Sequence, residues 1–115
     1  MTSKLKAYGR FWLSLQGKNF LGHGRVELLQ RIAETGSISK AAKEMKMSYK
    51  AAWDAVDAMN NAWSSPLVES SPAGSRLTAD AEHLIAVFLE AESRHRDFLA
   101  DLEKTLPGGR LGNRS

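Results

Sequence analysis

The spacing of apolar positions changes three times along this chain. Over residues 10–16, RFWLSLQ, the apolar Phe11, Leu13 and Leu15 alternate with Trp12, Ser14 and Gln16, the two-residue period of a strand. Gly17 and Asn19 mark a turn after it. From Arg25 the period lengthens: Val26, Leu29, Ile32 and Ala33 recur at steps of three and four, as on one face of a helix. Thr35-Gly36 stops that helix, with Gly36 suited to a left-handed C-terminal position. Ser37 or Ser39 can cap a short second helix reaching about Met45. Lys46-Met47-Ser48 is a tight connection, and Ser48 caps a third helix from Tyr49 to about Asn61 with Ala52, Val56 and Met59 inward.

Residues 64–78 break the helical period at Pro66 and at Pro72-Ala73-Gly74. The runs Leu67-Val68-Glu69 and Ser75-Arg76-Leu77 can pair as a short hairpin. Thr78 then caps a long fourth helix, residues 79–106, with Asp80 and Glu82 complementing the dipole of its first turn. Its apolar stripe runs from Ala81, Leu84, Ile85 and Phe88 through Ala91 and His95 to Phe98, Leu99, Leu102 and Leu106. Pro107-Gly108-Gly109 ends it, and residues 107–115 are expected to form a disordered tail. The fold class is mainly α with a small β component: strand, three helices, hairpin, long helix. Three helices followed by a hairpin is the plan of a winged helix-turn-helix, here one domain over residues 1–106.

Charge gives this plan a direction. Residues 1–50 carry ten Lys/Arg against three Asp/Glu, a net of +7, whereas residues 51–115 carry six against ten, a net of −4. A basic half beside an acidic half suggests that one face meets a polyanion. With 115 residues, 43% hydrophobic and 25% charged, the chain fits an ordinary globular protein and not a disordered one. It has no cysteine, so disulfides and thiolate metal sites are excluded. No stretch reads as a signal peptide or a membrane span, and a cytoplasmic protein that does not engage membranes is expected.

The chemistry concentrates in residues 36–60, GSISKAAKEMKMSYKAAWDAVDAMN. A helix-turn-helix needs two helices crossing steeply through a short turn. Ala41 and Ala42 permit the close crossing, and Met47 can plug the gap. The second helix presents its first residues, Ser48, Tyr49, Lys50 and Trp53, to a major groove. Lys50 can donate to guanine acceptors or a phosphate, and Tyr49 offers a hydroxyl to phosphate and a ring to a thymine methyl. Ser48 and the helix-start N–H groups suit a phosphate oxygen, while Lys40, Lys43 and Lys46 can neutralise neighbouring phosphates.

This segment resembles the N-terminal DNA-binding domain of ModE-type molybdate-responsive regulators. The resemblance rests on Gly36-Ser37-Ile38-Ser39, Ala41-Ala42, Ser48-Tyr49-Lys50-x-x-Trp53-Asp54 and Met59-Asn60. LysR-type regulators share only the GSIS-x-AA portion. It extends upstream through Trp12-Leu13-x-Leu15, Gly22 and Arg25-Val26-x-Leu28-Leu29, and downstream through Leu67-Val68-Glu69 and Leu77-Thr78, covering roughly residues 8–105. It implies a winged helix-turn-helix that binds double-stranded DNA, regulates transcription and dimerises through its long terminal helices; this chain is expected to be a free-standing relative of those regulators. The DNA-contacting set is then Ser39, Lys40, Lys46, Ser48, Tyr49, Lys50, Trp53 and Arg76, with Arg76 reaching from a wing that is short and carries Gly74 as its one glycine. Molybdate-sensing regulators carry further C-terminal oxyanion-binding domains, so molybdate or another oxyanion is not expected to bind this chain alone.

A helix over residues 79–106 is about 42 Å long, more than a small three-helix unit covers. The expected dimer interface is Leu84, Phe88, His95, Phe98, Leu99, Leu102 and Leu106, paired with a second copy about a two-fold axis. The competing arrangement has the strand near Trp12 cover these residues within the chain. A two-fold dimer would read a roughly palindromic operator. Enzymatic activity, a cofactor and a bound metal are not expected: His23, His83 and His95 are scattered, and no Ser/His/Asp set or phosphate loop is apparent. The alternative function is a winged-helix protein-interaction module that has lost DNA binding.

Overall fold

A computed structural model describes residues 2–110 of the chain. It contains strands β1 (Thr2–Lys4), β2 (Leu13–Leu15) and β3 (Lys18–Leu21), then helices α1 (His23–Thr35), α2 (Ile38–Glu44) and α3 (Tyr49–Ala62). The wing strands β4 (Val68–Ser71) and β5 (Gly74–Leu77), helix α4 (Ala79–Thr105) and β6 (Gly108–Arg110) follow. The fold is a winged helix-turn-helix with a long C-terminal helix.

Local chemistry sets each boundary. Gln16 and Gly17, both at positive φ (52° and 79°), make the tight turn that matches the twist of the β2–β3 hairpin. Gly36 ends α1 at φ 70°, where its N–H donates to the Ile32 carbonyl. Ser37, Ser48 and Thr78 cap α2, α3 and α4, each accepting from a backbone N–H three residues on. No described helix is long and apolar enough to cross a membrane.

The core gathers α1, α3 and the first half of α4 around Leu28, Leu29, Ile32, Met59, Leu67 and Phe88. The inner face of α1 differs from the periodic reading at two positions. Ala33 is exposed, and Leu28 is buried. The helix packs against α2 on one side and β5 and α4 on another, so its buried stripe is wider than a single seam and centres on residues 28–32.

Residues 10–16 do not all join a strand. Only Leu13–Leu15 pair, while the stretch before them runs along α4 as an extended strap. Aromatic contacts hold it there: Phe11 lies 5.5 Å from Phe88 and 6.0 Å from His95, centroid to centroid. Farther along, the Ala7 N–H donates to Glu103 Oε2 at 2.9 Å. The tail expected to be disordered contains a strand instead: β6 pairs antiparallel with β1, Ser3 opposite Gly109, because the strap brings the N-terminus to the end of α4. Residues 111–115 of that tail lie outside the described residues.

The outline is long, 65 × 26 × 26 Å, with a radius of gyration of 19.0 Å. A compact chain of this size would have roughly 13–14 Å. The excess comes from the second half of α4, which projects with chiefly the strap beside it.

Candidate nucleic-acid interface

The site grows from the α2–α3 corner. Ala41 and Ala42 are buried where the two helices meet, small enough for a close crossing. Met47 in the turn is partly buried against the core, and its N–H donates to the Ala42 carbonyl at 3.0 Å. Lys46 adopts φ 56°, the left-handed conformation that turns the chain between α2 and α3 and keeps its side chain at the surface. Arg31 on α1 bonds Glu44 of α2 at 3.0 Å and Glu27 of α1 at 3.1 Å, tying the corner to the scaffold. Those carboxylates, Glu44 first, raise the Arg31 pKa above its ordinary value.

Beyond the corner the outer face of α3 is open. Tyr49 is 53% exposed and Trp53 45%, one turn apart on the same side. Lys50 and Asp54 stand beside them, their Nζ and Oδ2 2.9 Å apart. The hydrogen bond to Asp54 raises the Lys50 pKa above its ordinary value. Ser48 Oγ accepts from the Ala51 N–H at 3.0 Å and retains its own proton for an outside acceptor.

A groove of about 410 Å³ separates α3 from the wing, lined by Ser37, Ser39, Tyr49, Trp53, Ser70 and Ser75 among others. Two fasteners fix its width. The Ser75 N–H donates to the Gly36 carbonyl at 2.9 Å, and a Cβ at Gly74 would stand 2.7 Å from that oxygen, so the approach requires glycine. Asn60 accepts from the Leu67 and Val68 N–H groups through Oδ1 and donates through Nδ2 to the Val68 carbonyl. That set pins the end of α3 to the start of the wing.

The structure brings Ser39, Tyr49 and Trp53 together on this groove, with Ser48 and Lys50 at the same end of α3. Lys40 and Lys46 are exposed around the corner. Arg76 is displaced from the set. It alternates with the groove-lining Ser75, so it projects from the other face of the hairpin, where it pairs at 3.2 Å with its cross-strand neighbour Glu69.

The seven residues expected at a dimer interface occupy different environments. Phe88 is removed from that set: it is 0% exposed inside its own core, out of a partner's reach. Leu84 packs partly on the same core. His95 and Leu99 face the strap at Gly9 and Phe11, as the intrachain arrangement requires. Phe98 (62%) and Leu102 (37%) remain exposed, and Leu106 caps the helix end half-buried.

A tight two-helix corner closed on buried alanines, an outward aromatic–lysine helix start and a hairpin beside it define the winged helix-turn-helix class of DNA-binding domain. Residues 24–82 match the sequence profile of the bacterial regulatory helix-turn-helix protein, lysR family. That is just over half of the chain, and the chain belongs to this family. Within it the sequence is ModE-like. It is 45% identical over 91 residues to the molybdenum-pterin-binding protein MopB of Rhodobacter capsulatus, covering 75% of this chain and 34% of that protein. It is 40% identical over 90 residues to the transcriptional regulator ModE of Haemophilus influenzae (72% and 35%). It is 47% identical over 62 residues to the DNA-binding transcriptional dual regulator ModE of Escherichia coli K12 (54% and 24%). The chain spans about a third or less of the length of these relatives.

Sequence reasoning left three residues without a role. Asn60 stood only as part of a motif, and its double duty on the wing needs the tertiary approach of residues 67 and 68 to be visible. Trp63 stacks on Phe20 at 5.5 Å and donates to Asp80 at 3.0 Å, contacts across 17 and more positions of chain. Asp54 was legible in principle, because it follows Lys50 by one helical turn.

Proposed function

We propose that this chain is a sequence-specific, double-stranded-DNA-binding transcriptional regulator. It acts as a homodimer and reads a roughly palindromic operator through α3. The observation that carries this reading is the unobstructed start of α3: Tyr49, Lys50 and Trp53 protrude from one face, with Lys40 and Lys46 around the same corner. The names of the ModE relatives support it. Such a regulator works where a bacterial chromosome lies, in the cytoplasm.

In this reading α3 enters the major groove, and the groove beside it, whose lining includes Asp57 as well as serines, lets the wing lie along the DNA backbone. A second copy covers Phe98 and Leu102, each worth about 1.5–3 kcal/mol when buried. The two-fold axis then sets the reading helices about 34–36 Å apart. Nothing in this assembly requires molybdate, a cofactor or catalysis by this chain.

The rival reading, a protein-interaction module, draws on one observation: Lys50 and Arg76 both have carboxylate partners in the free chain. Binding to duplex DNA as a function of salt separates the two. A regulator making several phosphate contacts loses about a thousandfold in affinity or more between 50 and 200 mM salt. A chain that binds no DNA at low salt is an interaction module.

A further inference from the structure

On the outer face of α3 an acid stands where a polyanion would dock. Asp54 is 63% exposed, beside Tyr49, Lys50 and Trp53, and would face phosphate-rich DNA at an electrostatic cost. Its carboxylate takes no part in the core, the helix cap or the wing. Its one polar partner among the described residues is Lys50 Nζ, at 2.9 Å, so the face presents a donor and an acceptor side by side.

That spacing has a counterpart on the floor of the major groove. A G·C pair presents guanine O6, an acceptor, next to the cytosine N4 amine, a donor. The two are joined by a Watson–Crick hydrogen bond and so lie about 2.9 Å apart. Resting on the DNA-binding reading above, we propose that Lys50 and Asp54 read one G·C pair as a unit, Lys50 donating to guanine O6 and Asp54 accepting from cytosine N4. Asp54 is thus a specificity-determining residue. Reversing the pair to C·G sets the amine against the ammonium and the carbonyl against the carboxylate, two repulsive contacts at once. T·A keeps the order of acceptor and donor but replaces guanine N7, which the ammonium also reaches, by the thymine methyl. The same carboxylate weakens binding to unrelated sequence, where it finds no amine and meets only phosphate charge.

The test begins with selection of an operator from random duplex DNA by the full chain. The G·C pair in question is the one whose identity Lys50→Ala no longer enforces. Its cytosine is then replaced by 2-pyrimidinone, which pairs with guanine but lacks the 4-amino group, and binding is followed by fluorescence anisotropy. Loss of the amine weakens the wild-type chain about tenfold and leaves Asp54→Ala unaffected. Asp54→Ala also discriminates G·C from C·G at that pair at least about tenfold less well, and binds random DNA more tightly. Asp54 is exposed, so an unchanged thermal melt confirms that the variant folds; Asp54→Asn, which restores an acceptor, should recover part of the response to the amine. Wild-type binding indifferent to the missing amine overturns the proposal, as does an Asp54→Ala variant that still responds to it in full. A wild-type chain that enriches no motif overturns the regulator reading itself, and this proposal with it.

Discussion

Helix α4 is one continuous helix in two environments. Its first half sends Ala81, Ile85 and Phe88 into a core made by its own chain. Its second half has, among the described residues beyond the His23–Glu92 contact, chiefly the strap of residues 5–12 beside it, and leaves Phe98 and Leu102 exposed. The apolar periodicity is similar in both halves, so periodicity does not decide what covers a helix. The first half lays one face on a three-helix unit and leaves Val87 and Leu89 exposed on the other. The second runs past the edge of that unit, and a strap without regular structure hides one flank of it.

The two halves should therefore respond differently to substitution, and the largest effect belongs to the first. Phe88→Ala opens a cavity under Phe11 and should cost about 3–5 kcal/mol in urea unfolding. A cost near that of a surface change would mean the core is not centred there. Leu102→Asp tests the second half. It should raise the dissociation constant of the proposed dimer about a hundredfold, as sedimentation would show, because an uncompensated charge would enter the apolar seam that the proposal places there. Wild-type sedimentation as a monomer would instead mean that the strap suffices.

Lys50→Ala sharpens the comparison from outside α4. It should weaken operator binding about tenfold with an unchanged unfolding midpoint, separating the reading face from both halves of the helix. An unchanged affinity removes Lys50 from the site.

The smallest effect concerns the start of α4. Ser65 first, then Trp63, donate hydrogen bonds to the Asp80 carboxylate and hold its pKa below the ordinary carboxylate value. The unfolded chain therefore binds that proton more readily. The resulting stabilisation is fully present above the unfolded value and is lost as pH falls through the lowered folded value. Asp80→Asn should flatten this acid limb of the stability curve in thermal melts. A variant whose melting falls as steeply with acid as the wild type would assign the limb to other carboxylates.

Much of this molecule could be read residue by residue. The three serine and threonine caps, the Gly36 stop, the α2–α3 turn and the wing hairpin each depend on a few consecutive side chains competing for local backbone groups, and they form where the sequence signals them. The inner face of α3 follows from helical phase alone. Arg76 was harder to place: its charge suggested a phosphate contact, but its strand partner Glu69 and the alternation of β5 turn it away from the groove.

What the sequence determined by itself, then, is the succession of elements and the outward start of α3, because caps, turns and periodicity act over a few residues. Only the tertiary structure decided that residues 5–12 lie along α4, that β1 meets β6, that Phe88 belongs to the core, and that Asn60 pins the wing. Each of these joins residues far apart in the chain. Such contacts depend on which surfaces the packed elements leave uncovered, and no local pattern carries that information.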